Sequence, residues 1–106
     1  SDMALTRTKQ QKKELSMPMA PEEAFASILA AFTGVGRVQT YDIQSGRISG
    51  SIGGGLANMN NAKVTVEVLT NGESQSNVTI IATAQEGLIP QNTAAKAIDR
   101  LLEAIP

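Results

Sequence analysis

Between Ala62 and Ala84 the chain alternates apolar and polar residues twice over, and few folds accommodate that pattern. Ala62-Lys63-Val64-Thr65-Val66-Glu67-Val68-Leu69 and Asn77-Val78-Thr79-Ile80-Ile81-Ala82-Thr83-Ala84 both repeat with period two, and Asn71-Gly72 lies between them. Period two sends successive side chains to opposite faces of a strand, so the spacing predicts a β-hairpin with one buried face. Val64, Val66 and Val68 are expected to share that face with Val78, Ile80 and Ala82. Thr65, Glu67, Thr79 and Thr83 then point the other way. The remaining chain has to cover the apolar side.

It offers two helices for this. Pro21-Glu22-Glu23 is a helix start, because proline fits the first helical position and acidic groups favour the first turn. Phe25, Ile28, Leu29 and Phe32 follow at helical spacing, and Gly34 is expected to end the helix in a left-handed cap. A second helix is predicted from about Gln91 to Ala104, with Ala94, Ala97, Ile98, Leu101 and Ile105 as its stripe and Asn92 or Thr93 as its cap.

Three further strands complete the set. Residues 8 to 17 read as a lysine-rich edge strand that turns inward late, at Leu15 and Met17. Gly36 to Ile43 is a less regular strand with Val38 as its inward anchor. Asp42 to Gly46 makes a tight turn into Arg47–Ile52, whose Ile48 and Ile52 face inward. Gly50, between them on the same face, leaves room for close approach by the first helix. The order strand, helix, four strands, helix predicts an α+β fold: a two-layer sandwich in which an antiparallel sheet of about five strands carries both helices on one face. Residues 4–106 form a single domain, with Ser1-Asp2-Met3 reading as an expression remnant ahead of it.

Composition narrows the chemistry. The chain has no cysteine and no histidine, which removes thiolate nucleophiles, Cys/His zinc sites and imidazole catalysis, and leaves the compartment open. Its longest apolar run, Ala24 to Phe32, is interrupted by Ser27 and too short for a bilayer, so the chain is expected to be soluble as given, alone or as a fragment of a longer or anchored protein. A net charge of −1 argues against a broad footprint for nucleic acid or anionic membrane. Arg7, Lys9, Lys12 and Lys13 concentrate four of the nine basic residues in one short stretch, which reads as a solvated strand edge or arm rather than an anion-binding patch.

Leu-Ser-Met-Pro-Met-Ala-Pro-Glu-Glu-Ala-Phe at 15 to 25, Gly-Arg-Val at 36 to 38, the Asp42 to Ile48 turn, the paired strands and the closing helix at 95 to 102 together resemble a family of small bacterial domains of helix-grip, or TATA-binding-protein-like, type. The resemblance spans nearly the whole chain. It implies the fold just derived and no reaction. DNA binding of the TATA-binding-protein kind is not expected, since that needs phenylalanine wedges on the open sheet face and both phenylalanines here lie on a helix stripe.

The remaining motifs carry little chemistry. Gly50-Ser51-Ile52-Gly53-Gly54-Gly55 lacks the Gly-Lys-Ser/Thr of a phosphate loop and reads as a flexible strand connection. Glu22 and Glu23 diverge around their helix. Asp99 and Glu103 share a helix face without a third ligand, and Arg100 beside them reads as solubilising. No metal, cofactor or catalytic residue is expected. The best candidate is the second face of the sheet, where Leu69 and Ile81 stand among Ser49, Ser51, Thr65, Thr79, Thr83 and, on one reading of its strand, Tyr41. Such a face, read as poor in charge, suits a protein partner or a second copy. The expected function is therefore non-catalytic association. The alternative is a small molecule or lipid held between sheet and first helix, which the short strands disfavour by predicting a filled core.

Overall fold

The structure, a computed structural model, describes residues 6–55, 58 and 60–106. Residues 1–5, on which the expectation of a remnant at Ser1-Asp2-Met3 falls, lie outside the described residues, as do Leu56, Ala57 and Met59 of the glycine-led connection. The elements are β1 (Arg7–Met17), α1 (Pro21–Val35), β2 (Gly36–Asp42), β3 (Arg47–Gly53), β4 (Asn61–Thr70), β5 (Ser76–Glu86) and α2 (Thr93–Ala104).

The predicted hairpin is β4 and β5, joined by a loop in which Gly72 takes a positive φ of 85° and the Asn71 N–H donates to the Gln75 carbonyl at 3.0 Å. Val64 stands opposite Ala82, Val66 opposite Ile80 and Val68 opposite Val78. All six are buried. The outward pairs Lys63–Thr83, Thr65–Ile81 and Glu67–Thr79 alternate with them. One slip of register would exchange the two sets, so the apolar pattern fixes the pairing.

The other strands extend this hairpin into a sheet ordered β1-β5-β4-β3-β2, antiparallel throughout. β1 is an edge strand, as its lysines predicted. Its inward parity belongs to Leu15 and Met17 at one end, and to Lys9 and Lys13, which pair with Ala84 and Ile80, at the other. Charges of inward parity on an edge strand discourage a further strand from adding there. β2 is the opposite edge. Its pairing passes from Val38–Gly50 to Thr40–Ser49 and skips Gln39, a bulge that inverts the parity of everything after it. Tyr41 consequently stands opposite Ile48 on the helix side, its ring centroid 6.5 Å from that of Phe25. It does not belong to the open face.

Both helices cover the apolar side. α1 packs on β2, β3 and β4, α2 on β5, β4, β3 and β1, and the two touch each other. Phe25, Ile28 and Phe32 from α1 and Ala94, Ala97, Ile98 and Leu101 from α2 meet Ile48, Ile52 and the six hairpin residues in one core. Ile105 only borders it, half-buried. α1 does not end at Gly34. The helix continues to Val35, which packs against the core, and Gly36 follows in extended conformation with its N–H donated to the Phe32 carbonyl. A Cβ on Gly36 would lie 2.3 Å from the Ser51 carbonyl oxygen, so it is the start of β2, not a helix cap, that demands glycine. At Gly50 a Cβ would meet the Arg37 carbonyl oxygen at 2.0 Å and Phe32 Cε1 at 2.9 Å. The expected close approach of α1 is therefore present, and the neighbouring strand comes closer still.

Candidate functional site

The candidate face is built by register. With both helices on one side, no described element of the chain covers the other, and the strand pairings set its outward residues in rows across the sheet. The central row runs Thr40, Ser49, Thr65, Ile81 and Lys12, from β2 to β1. On one side of it lies Arg37, Ser51, Lys63, Thr83 and Gln10. On the other lies Asp42, Arg47, Glu67, Thr79 and Glu14.

Ser49, Ser51, Thr65, Thr79, Ile81 and Thr83 are thus brought together as the sequence predicts, half-buried by one another. Ser49 and Thr65 bring their hydroxyls to 3.5 Å. Leu69 shares the face but stands apart. It pairs with Asn77, and the Glu67–Thr79 row separates it from Ile81, so the two do not form one apolar patch.

The face is also charged, contrary to the expectation. Arg37, Lys63, Arg47, Asp42, Glu67, Glu14 and Lys12 all reach it, and they are sorted. One flanking row carries Arg37 and Lys63 without an acid, while the other carries Asp42, Glu67 and Glu14 with Arg47 alone opposing them. Arg47 lies 3.9 Å from Glu67, and Lys12 lies 3.0 Å from Glu14. Hydrogen bonding from Ser45, its side chain first and its N–H next, holds the Asp42 carboxyl below its ordinary range, so this acid is ionised near neutrality. Lys63 and Glu67 were readable from hairpin parity. Arg37 was readable as well, as the neighbour of the inward Val38; Asp42 was not, because the bulge decides its facing.

A second cluster sits where α2 begins. Glu86 ends β5 at inward parity and is 3% exposed. Its carboxylate accepts from the Gln91 N–H at 2.6 Å and from the Thr93 N–H at 2.9 Å. These bonds, Gln91 first and then the Thr93 N–H and hydroxyl, lower its pKa. Asn92 occupies the cap position with φ 55°, but its side chain makes no capping bond; Glu86 caps the helix from outside it. The Thr93 hydroxyl oxygen accepts from Asn58 Nδ2 at 3.1 Å and Asn60 Nδ2 at 3.3 Å. Arg100, read as solubilising, instead donates to the Gly53 carbonyl at 2.8 Å. The described ends of the glycine connection are therefore tied down, by Arg100, by a Gly54–Asn60 backbone bond and by Asn58. Each partner in this cluster satisfies another, which is the signature of a structural lock.

At the far end of the molecule a cleft of about 550 Å³ opens between the first turn of α1 and the β2–β3 turn. Phe25, Val68 and Ile43 give it an apolar floor, and Glu22, Gln44, Ser45, Leu69 and Thr70 line it as well. Among the described residues, no group of three or more acids could hold a metal, and no helix is long and apolar enough to cross a membrane.

The chain matches no known protein family. Comparison with curated proteins likewise finds no match. The open face and the cleft are therefore judged by their own geometry.

Proposed function

We propose that this is a non-catalytic domain that works by association through its open sheet face, as a homo-oligomer or as a module of a longer protein. The observation that carries this reading is the uncovered side of the five-stranded sheet. At its centre Ser49, Thr65, Thr79, Ile81 and Thr83 are half-buried, with little rotamer freedom to lose on contact, and longer charged side chains frame them. The non-catalytic part rests on the lack of histidine and cysteine and on the use of Glu86, the one buried acid among the described residues, as a helix cap. A nucleic-acid partner is disfavoured by the row of Asp42, Glu67 and Glu14 across the same face. The βαββββα order, with both helices on one side, supports the resemblance to helix-grip, TATA-binding-protein-like domains.

The test is a photo-crosslinking residue at position 81, compared in producing cells with one at position 26, on the exposed side of α1. A defined product from position 81, identified by mass spectrometry and absent from position 26, is the expected result. No product from position 81 beyond that from position 26 overturns the reading.

The cleft favours a second reading, binding of a small amphipathic molecule. Its volume exceeds the roughly 300 Å³ at which ligand pockets begin. It ranks second because one helical turn and one β-turn bound it, whereas ligand sites enclose about 70–90% of their occupant. Saturable binding of an anilinonaphthalene dye to the native chain, lost in Ile43→Lys, is the outcome this reading requires. Equal dye response in both chains removes it.

A further inference from the structure

The order of charges on the open face points to its occupant: we infer that a second copy of this chain packs face to face on it, about a two-fold axis that crosses the strands at the Thr65 row. This inference rests on the reading of that face as a contact surface and goes on to name the partner and its orientation.

A face-to-face homodimer has its two-fold axis in the plane of the interface, and the register allows two simple choices. An axis along β4 lays each row on itself. It sets Glu67 on Glu67 and Lys63 on Lys63, and it brings Asp42 of one copy over Glu14 of the other. All of these are like charges, and such juxtapositions cost several kcal/mol in a closed interface. An axis across the strands inverts the row order instead. The basic row of each copy then lies on the acidic row of the other.

Strand by strand, that second arrangement sets Asp42 against Arg37 on β2 and Glu67 against Lys63 on β4, each pair occurring twice by symmetry. The central row meets itself, so Ile81, the one apolar residue of that row, packs on Ile81 of the second copy. Lys12 also meets its own copy, but at the sheet edge and with its ammonium already on Glu14. Stacked sheets are offset by about 30° because each is twisted. At β4, the centre of the sheet, that offset shifts the Lys63–Glu67 pair sideways by about 3 Å, less than the ~4.8 Å strand spacing, so the pair survives. At β2, two strands out, the shift is about 6 Å and Asp42 meets Arg37 only through the reach of the arginine.

The available area is sufficient. Five strands at about 4.8 Å spacing and the roughly 27 Å of paired backbone from Asn61 to Leu69 give about 650 Å² per subunit. Standard interfaces bury roughly 600–1,000 Å² per partner.

The experiment is sedimentation and light scattering of the full chain over a concentration series, with circular dichroism confirming the fold of every variant. Wild type is expected to dimerise. Lys63→Glu and Glu67→Lys should each raise the dissociation constant at least about tenfold, since each places two like-charge contacts in the interface. The combined Lys63→Glu/Glu67→Lys chain should recover dimerisation, because the crossed axis sets residue 63 against residue 67. Recovery in that swap is specific to this axis; an axis along β4 would leave it as repelled as the single variants. A wild type that stays monomeric to about 1 mM, or a folded double variant no better than either single one, overturns the dimer. If wild type is monomeric while position 81 still crosslinks to a different protein, the second copy is the wrong occupant and the contact face stands. If both fail, the face itself is wrong.

Discussion

Replacing Ile80 by aspartate should leave the chain unfolded at 25 °C, whereas replacing its neighbour Ile81 by aspartate should leave it folded. The two residues have the same side chain, the same strand and adjacent positions. They differ only in the face they take. Ile80 is fully buried, opposite Val66 on one side and Lys13 on the other. Truncating an isoleucine in such a place to alanine costs about 2–5 kcal/mol. A carboxylate there adds a desolvation penalty of several kcal/mol more, which Lys13, exposed at the sheet edge, offsets only in part. A domain of this size has only about 5–15 kcal/mol in total. Ile81 is half-buried between Thr65 and Lys12; its truncation costs about 1 kcal/mol, and an aspartate there meets solvent and the Lys12 ammonium. Far-ultraviolet circular dichroism with urea titration decides the matter. A folded Ile80→Asp chain, or loss of both folds, would contradict the two-faced sheet. In the folded Ile81→Asp chain, self-association should also be lost, because the two aspartates would meet at the dimer axis.

The pattern that makes this prediction possible was legible because period two and period 3.6 are geometric consequences of backbone conformation. Val64 through Val68 and Val78 through Ala82 could share one buried face with only one assignment of odd and even positions, and the short loop at Asn71-Gly72 sets the register between them. Phe25, Ile28 and Phe32 could form only one stripe. What stayed hidden depends on contacts between elements. Gly34 and Gly36 are two glycines two residues apart, and either could end α1 on local grounds; β2 decides between them, because the backbone of Ser51 and Ile52 leaves no space for a side chain at position 36. The bulge at Gln39 has no sequence mark either, yet it sends Tyr41 to Phe25 and turns Asp42 outward.

The candidate face was therefore half readable. Its hydroxyl residues follow from the hairpin, but its electrostatic order appears only when rows from different strands are aligned. Lys63 and Glu67 look like routine alternation in one strand. They become a complementary pair once their four-residue separation is seen to span the central row. Reading the alternation of β5 only as far as Ala84 also concealed Glu86, although the same parity carried two residues further places it inward. A polar residue at an inward position is the signal that was present and passed over.

That residue supports the second large prediction: Glu86→Gln should destabilise the chain strongly at pH 7 and much less at pH 3. Glu86 is 3% exposed and, among the described residues, has no cationic partner. Its two oxygens accept separate N–H groups of the α2 entrance, from Gln91 and Thr93. A glutamine can offer one acceptor oxygen in that place, and its amide N–H₂ would face an N–H donor, leaving a buried donor unanswered. The consequence reaches beyond the site, because α2 covers β5 and β4 at the centre of the sheet. The pH dependence follows from the hydrogen bonds. They hold the folded carboxyl below its ordinary value of 4.5, so the ionised form is favoured by folding. The stabilisation is complete above the unfolded pKa and is lost as pH falls through the folded one. Wild type should therefore lose urea resistance as pH falls below about 5, and Glu86→Gln should show a shallower loss on the same descent. Urea midpoints of both chains at pH 7 and pH 3 measure the two gaps. Equal gaps would mean that the ionised carboxylate contributes nothing to holding α2, and that the lock acts through shape alone.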